Sequence, residues 1–318
     1  MFGRTTRTGI DIGTTSVKLV RMAVRGSSRR ITHLDSEPWD GSTREERSRH
    51  AGEALRALLD RQGLKRRNLG HLAVTSGWQE HALREVSLPR MSAAEFRKAI
   101  PFEAPNHLDL EGMEEPVLAG QLLGPDPEDP ERVRVLFAAV PRPRRDFVLD
   151  VLAGSNLVPE VIDLEPLAGL NALLTALGTE VADDEPVALL DLGGNHSALH
   201  IGTRRGNLLS RNVAPGAPAD PGDEEEIGFL VKLTSGVQQT LTYYRTRWKR
   251  EVSTLYLCGG GAGVAHRAEN LHQSTRLPVR VFDPLATVSS PATGDEASPG
   301  PLFTTACGLC HWWDGDDV

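Results

Sequence analysis

The sequence predicts an α/β protein of two lobes, each built on the same strand-turn-strand unit, with a smaller α+β unit inserted into the first lobe. Three observations carry that prediction. Gly9–Val20 (GIDIGTTSVKLV) and Leu189–Ile201 (LLDLGGNHSALHI) are versions of one pattern, in which an apolar strand runs into an Asp, turns on a Gly two residues later and returns as a second apolar strand. Thr254–Val264 (TLYLCGGGAGV) is a strand that empties into a glycine cluster and then a helix. Between the two hairpins, the chain follows the order strand, helix, two strands, helix, strand.

The residue types in the hairpins suit a phosphate. Gly13 and Gly193 are expected to turn with positive φ and to let backbone N–H groups approach an anion that bulkier residues would block. Thr14, Thr15, Ser16 and Ser197 can add hydroxyl donors, and Gly194 extends the second turn. Asp11 and Asp191 end their strands where they can hold water around a Mg²⁺ that neutralises phosphate charge. Asp-x-Gly alone is also ordinary hairpin chemistry. The third element adds specificity: Gly259, Gly260, Gly261 and Ala262 form a loop on which a nucleoside can lie against backbone.

The elements follow from local pattern. Ala51, Ala54, Leu55, Leu58 and Leu59 recur at helical spacing and predict a helix over Arg44–Gln62. Strands are expected at Leu72–Ser76 and Glu85–Leu88. Ser92 and Glu95 form a capping-box signature for a helix with Phe96, Ala99 and Ile100 on its inner face, and Pro101 and Pro105 predict a kink or early stop. Strands at Glu115–Leu123 and Val133–Val140 flank an acidic loop. A helix at Arg144–Ala153, a strand at Glu160–Asp163 and a helix at Pro166–Leu177 follow, the last with Leu167, Leu170, Leu173, Leu174 and Leu177 as core. Ala214–Glu226 reads as a Pro/Gly-rich acidic loop. Ile227–Arg250 reads as a helix with Leu230, Leu233, Val237, Leu241 and Tyr244 on one stripe. Ser290–Pro301 reads as a second exposed loop.

Composition sets limits. At 318 residues with 39% hydrophobic content the chain can bury two substantial cores. A net charge of −8 and few aromatics argue against nucleic-acid binding. No apolar run reaches the ~18 residues that cross a bilayer, and the chain enters its first strand without a signal-peptide pattern, so a cytoplasmic location without direct membrane insertion is expected. Cys307-Gly-Leu-Cys-His311 matches a haem-attachment spacing, but nothing directs export, and the expectation is free thiols in a terminal helix whose Gly308 and Leu309 approach the core.

Two Asp-Gly hairpins followed by a strand, a glycine loop and a helix resemble the actin, Hsp70 and sugar-kinase superfamily. A closer resemblance rests on Glu85–Pro89 (EVSLP), Phe96–Leu108 (FRKAIPFEAPNHL), Leu157–Ala172 (LVPEVIDLEPLAGLNA), Leu241–Tyr244 (LTYY) and Pro278–Pro284 (PVRVFDP). These are similar to the type IV pilus assembly protein PilM family over nearly the whole chain. The resemblance implies a bilobed actin-like ATPase, with ribonuclease H-like duplicated domains. Lobe one (1A) would be residues 1–85 plus 161–185, an inserted 1C-type subdomain 86–160, and lobe two 186–318 with subdomain 2B reduced or absent. It implies binding of ATP and Mg²⁺ through Asp11, Gly13, Thr14, Ser16 and Lys18, through Asp191, Gly193 and Ser197, and through Gly259–Ala262. Asp163 and Glu165 would stand where related ATPases keep a water-orienting residue. The implied partner is the N-terminal tail of a PilN-like inner-membrane protein, bound in a groove between 1A and 1C, with pilus motor ATPases beyond it.

The departures concern the second lobe. The interval from Asp191 to Gly259 is visibly shorter than the family's, Gly236 stands where relatives carry Glu, and Asn195-His196 replaces small hydroxyl residues. The phosphate grip is retained, and the adenine clamp is expected to be eroded. Two alternatives share the superfamily. A small-molecule kinase needs a general base facing a substrate pocket, for which no candidate beyond Asp191 stands out. A relative of the cell-division protein FtsA should end in a basic amphipathic helix, whereas this chain ends in the acidic run Trp313–Val318.

Overall fold

The computed structural model describes residues 5–77, 80–219, 222–286, 288 and 299–312. Two five-stranded sheets share one plan. In the first, β1 (Thr5–Ile12) and β2 (Ser16–Arg25) form the first hairpin, and β3 (Ser28–Pro38) continues it. Helices α1 (Arg44–Arg61) and α2 (Arg66–Leu69) lead to β4 (His71–Ser76). A separate three-stranded unit follows: β5 (Ala82–Pro89), α3 (Ala93–His107), β6 (Pro116–Pro125) and β7 (Arg132–Pro141), then α4 (Arg142–Ala153). Strand β8 (Val161–Ile162) returns to the first sheet, giving the order β3-β2-β1-β4-β8, and α5 (Glu165–Leu177) leaves it.

The second sheet repeats the arrangement with β9 (Val187–Leu192), β10 (His196–Thr203), β11 (Gly206–Pro215), helix α6 (Asp223–Trp248), β12 (Leu255–Cys258), α7 (Ala265–Thr275) and β13 (Val279–Val281), and the chain closes on α8 (Thr304–Leu309). Its order, β11-β10-β9-β12-β13, is the first sheet's order over again. Both hairpins pair antiparallel, and both sheets add their fourth and fifth strands in parallel. Central β9 is covered on both faces, which is why Val187–Leu190 is an unbroken apolar run with no alternation.

Several local expectations change in the folded chain. Each hairpin carries a third strand, β3 or β11, that the local pattern does not announce. Both are edge strands with polar, partly exposed faces. Helix α3 runs to His107 through both prolines. Its inner face is held by Phe96, Ile100, Ala104 and Leu108, while Pro101 and Pro105 lie on the exposed side, so the carbonyls of Arg97 and Pro101 that lose their donors face solvent. The segment Ala214–Glu226 is not one loop, because its start ends β11 and Asp223–Glu226 is the first turn of α6. Leu167, Leu174 and Leu177, expected in the core, are only half-buried. The stripe on α6 is as expected, with Leu233, Val237 and Tyr244 fully covered. Most of Ser290–Pro301, and the acidic terminus from Trp313, lie outside the described residues. Among the described residues, no helix is long and apolar enough to cross a membrane.

The two sheets are joined by an exchange of helices. Helix α5 follows the first sheet in the chain and buries Leu170 and Leu173 against Val187 and Leu189 of the second. Helix α8 follows the second sheet and buries Ala306, Cys307 and Cys310 against Val20, Met22 and Ile31 of the first. The Cys307 and Cys310 thiols are buried in that packing, with Cys310 Sγ within reach of the Val20 and Ala306 carbonyls at 3.6 Å. The helices meet backbone to backbone: a Cβ on Gly308 would land on the Ala168 carbonyl oxygen, so only glycine fits. Gly308→Ala is therefore expected to destabilise the chain by about 1–3 kcal/mol through overpacking that no rotamer relieves. Chemical denaturation checks this, and a midpoint equal to wild type would contradict the crossing geometry.

Candidate functional site

Duplicated hairpins at the inner ends of two facing sheets put their turns opposite one another. A cavity of about 520 Å³ opens between them. One wall is the β1–β2 turn with Asp11, Gly13, Thr14, Thr15, Ser16 and Lys18, and the facing wall is the β9–β10 turn with Asp191, Gly193, Gly194 and His196. The loop after β12 contributes Gly259, Gly260 and Gly261, and the first turns of α5 and α8 contribute Glu165, Thr304 and Thr305. The turns are close: a Cβ on Gly194 would stand 2.9 Å from Thr15 Cγ2.

The glycines act differently from expectation at two positions. Gly13 and Gly193 do not have positive φ. A Cβ on Gly13 would press on the tip of the Lys18 side chain and stand 3.1 Å from the Ser16 carbonyl oxygen, so a larger residue there would displace the Lys18 ammonium. Positive φ falls instead on Gly259, at 83°, where the loop turns past the Asp191 carboxylate and the Leu192 carbonyl.

Charge in the cavity is largely paired internally. Across the β1–β2 ladder Asp11 stands opposite Lys18, and Lys18 Nζ donates to Asp11 Oδ2 at 2.9 Å, with both residues buried. Burial opposes the ammonium, but the Asp11 carboxylate outweighs it and holds Lys18 above its ordinary pKa. The corresponding register position in the second hairpin pairs Asp191 with Ala198, which offers no cation. Burial, then the neighbouring Glu165 carboxylate, push Asp191 up to about 8. Glu165 Oε2 lies 3.6 Å from His196 Nε2 across the gap between α5 and β10. Burial works against the Glu165 anion, but His196 more than compensates and holds it below the ordinary carboxylate range.

Three sequence candidates stand outside the cavity. Ser197 is fully buried, and its hydroxyl donates to the Pro215 carbonyl at 3.0 Å, because strand alternation turns it away from the face that His196 occupies. Ala262 belongs to the core of the second sheet. Asp163, two residues before Glu165, lines a different groove, described below. Glu165 is thus the carboxylate of this pair that reaches the cavity.

Arg267 on α7 was not singled out from the sequence. It is wholly buried and forms a bidentate pair with Glu226, with both contacts at 2.8 Å, and also donates to the Gly261 carbonyl at 3.0 Å and the Pro218 carbonyl at 2.7 Å. It ties the glycine loop to the short β11–α6 connection and to the first turn of α6. The only sequence signal is an Arg in the helix that follows the loop. Its partner, 41 residues away in the chain, is visible only in three dimensions.

The donor set fits a nucleoside triphosphate with a divalent cation. It offers three hydroxyl-bearing side chains, an ammonium and glycine backbone on two facing turns, with carboxylates at both strand ends. Among the described residues no cluster of three metal-ligating side chains occurs, so a cation here would be held through water and the phosphates themselves.

The family described as type IV pilus assembly protein PilM matches residues 9–217. Among solved structures, a PilM-PilN type IV pilus biogenesis complex is 24% identical, with 96% of this chain and 97% of that chain covered, at a TM-score of 0.77. A diol dehydratase-reactivating factor in nucleotide-free form is 10% identical over 97% of this chain and 99% of that chain, at 0.50. The ethanolamine utilization protein EutJ from Carboxydothermus hydrogenoformans is 14% identical over 96% and 89%, at 0.48. The shared fold is that of the actin-like ATPases. Since the family match spans more than half of the sequence and takes in both hairpins, the chain belongs to the type IV pilus assembly protein PilM family, the actin-like scaffolds of pilus assembly.

Proposed function

We propose that the chain is an ATP-binding scaffold, acting at the cytoplasmic side of a pilus inner-membrane platform, whose interlobe cavity holds Mg·ATP. The observation that carries this reading is the convergence of both Asp-Gly turns and the glycine loop on one cavity. ATP supplies a triphosphate, with Mg²⁺ offsetting its charge. Lys18, Thr14, Thr15 and Ser16 would face the phosphates from one turn and Gly193–Gly194 from the other, with Asp11 and Asp191 ordering water around the metal. The base is Gly259–Gly261, braced by Arg267 and Glu226 rather than by a further subdomain.

Hydrolysis is expected to be slow. Glu165 is the carboxylate near the phosphates with no direct part in this binding scheme, and His196 holds it below the ordinary carboxylate range, which makes it a weak base for activating water. Membrane attachment would come through a partner. The solved PilM-PilN complex supports a PilN-like partner, and for its N-terminal tail the fold offers a groove of about 800 Å³ between the inserted unit, α5 and the β10–β11 turn. With it we propose a division into lobe one (1–85 and 161–185), insert (86–160) and lobe two (186–318).

Two measurements test the reading. Asp11→Asn and Asp191→Asn are each expected to weaken Mg·ATP binding by about 1–3 kcal/mol, since each removes an acid that organises the ion. Unchanged calorimetric affinity in both would contradict the site. The tail peptide is expected to bind with or without ATP, and steady-state turnover to stay far below ~1 s⁻¹, the low end of enzyme rates. Rapid ATP turnover, or phosphate transfer to a small acceptor, would favour a kinase instead.

A further inference from the structure

The groove beside the inserted unit has apolar walls, with Leu122 and Leu136 on one side and Leu167, Leu170 and Leu174 on the other. Its charged lining is unbalanced. Three arginines, Arg90, Arg132 and Arg204, share it with two acids, Glu85 and Asp163. Glu85 is occupied elsewhere, since it accepts from Arg134 at 3.0 Å and from the Asn207 N–H at 2.8 Å. Asp163 is only 7% exposed, and burial pushes it up to about 7, so near neutral pH it carries a fraction of a charge.

The arginines are held chiefly by neutral oxygens. Arg132 donates to the Ser87 hydroxyl at 3.0 Å and to the Ser87 carbonyl. Arg204 donates to the Leu174 carbonyl at 2.5 Å and to the Gly178 carbonyl, with Asp183 standing 4.0 Å away outside the groove lining. Arg90 is exposed at the rim, and its guanidinium has no hydrogen bond or ion pair among the described residues. The groove therefore presents leucine walls under a net positive charge.

The chain itself runs into this groove. His311 and Trp312, which follow α8, line it, and the next residues are Trp313, Asp314, Gly315, Asp316, Asp317 and Val318. An aromatic side chain followed closely by three acids is the complement of an apolar groove rimmed by arginines. Reach is sufficient, because six extended residues span about 20 Å. We propose that segment 313–318 docks in the groove of its own chain, with Trp313 against the leucine walls and its three acids toward the arginines. Resting on the reading that this groove receives the partner's tail, the segment competes with that tail.

Tethering is what lets a short acidic segment hold such a site. It enters the groove directly from Trp312, so its effective concentration there is about millimolar without any partner present. Each exposed ion pair is weak and screened by salt, so a partner of moderate affinity can displace it. The segment thus acts as an internal occupant that shields the leucine walls until the partner arrives.

Two measurements on the full chain test this. The first is disulfide trapping by oxidised glutathione of Gln121→Cys, an exposed position in the groove lining, with Gly315→Cys, a pair that leaves every charge in place. The control pairs Gly315→Cys with Gln273→Cys, which is exposed on α7. The groove pair is expected to close within one chain about tenfold faster than the control, and Asp314→Asn, Asp316→Asn and Asp317→Asn together to slow it to the control rate. The second is calorimetry with a synthetic peptide of the PilN-like partner's N-terminal tail, which the triple Asn variant should bind about threefold to tenfold more tightly than wild type, with the gap closing in about 0.5 M salt. Trapping no faster than the control would overturn the docking whatever the peptide does. Disulfides formed between two chains would assign the segment to a second copy and overturn it as well. Fast trapping with equal peptide affinity in wild type and variant would overturn the competition. A peptide that binds neither protein would overturn the partner reading of the groove and the competition with it, while the trapping rate still decides the docking.

Discussion

The crossing of α5 and α8 is the contact on which the remaining geometry depends. Each helix is the chain's exit from one sheet and the cover of the other, so neither lobe has a complete core alone. Their approach is set by Gly308 against the Ala168 backbone, and a Cβ on Gly9 of β1 would likewise strike Ala306 of α8. Side chains cannot enter these contacts, so the spacing between the sheets is fixed by backbone dimensions. That spacing lets Thr15 of one turn touch Gly194 of the other and makes two ordinary hairpins one site.

Within the site, duplication is geometrical while the charges are asymmetric. Lys18 neutralises Asp11 in the first hairpin, and Ala198 leaves Asp191 without a cation at the same register. The asymmetry gives the two turns different work: the first brings an ammonium already paired with a carboxylate, and the second brings an acid whose charge is costly until a cation or proton arrives. Glu165 and His196 bridge the lobes across this cavity. Opening of the cleft would part Glu165 from His196.

The inserted unit is also fastened to the second lobe. Glu85 and Arg134 hold each other and reach the Asn207 N–H and the Arg205 carbonyl at the β10–β11 turn. Strand β10 therefore has the cavity-lining turn at one end and the insert's docking point at the other. The apolar groove lies in the angle between insert, α5 and that turn, with Asp163 at its floor.

Much of this was legible in the sequence because hairpins, capping boxes and glycine turns are encoded within a few residues. Asp11, Gly13, Asp191 and Gly193 announced the paired turns, Ser92 and Glu95 the start of α3, and Gly308 a helix pressed on the core. What the sequence could not settle was direction and company. Ser197 and His196 are neighbours in the chain, yet the pleat sends one to the core and the other to the cavity. Asp163 and Glu165 are two residues apart, and the strand-to-helix bend sends them to different sites. Pro101 and Pro105 end a helix by local rule, but the packing of Phe96, Ala104 and Leu108 carries α3 past them on its exposed face. Arg267 and Glu226 find each other only because α7 and α6 pack side by side. Local turn chemistry fixed where the chain could bind an anion; burial and long-range pairing decided which charges face it.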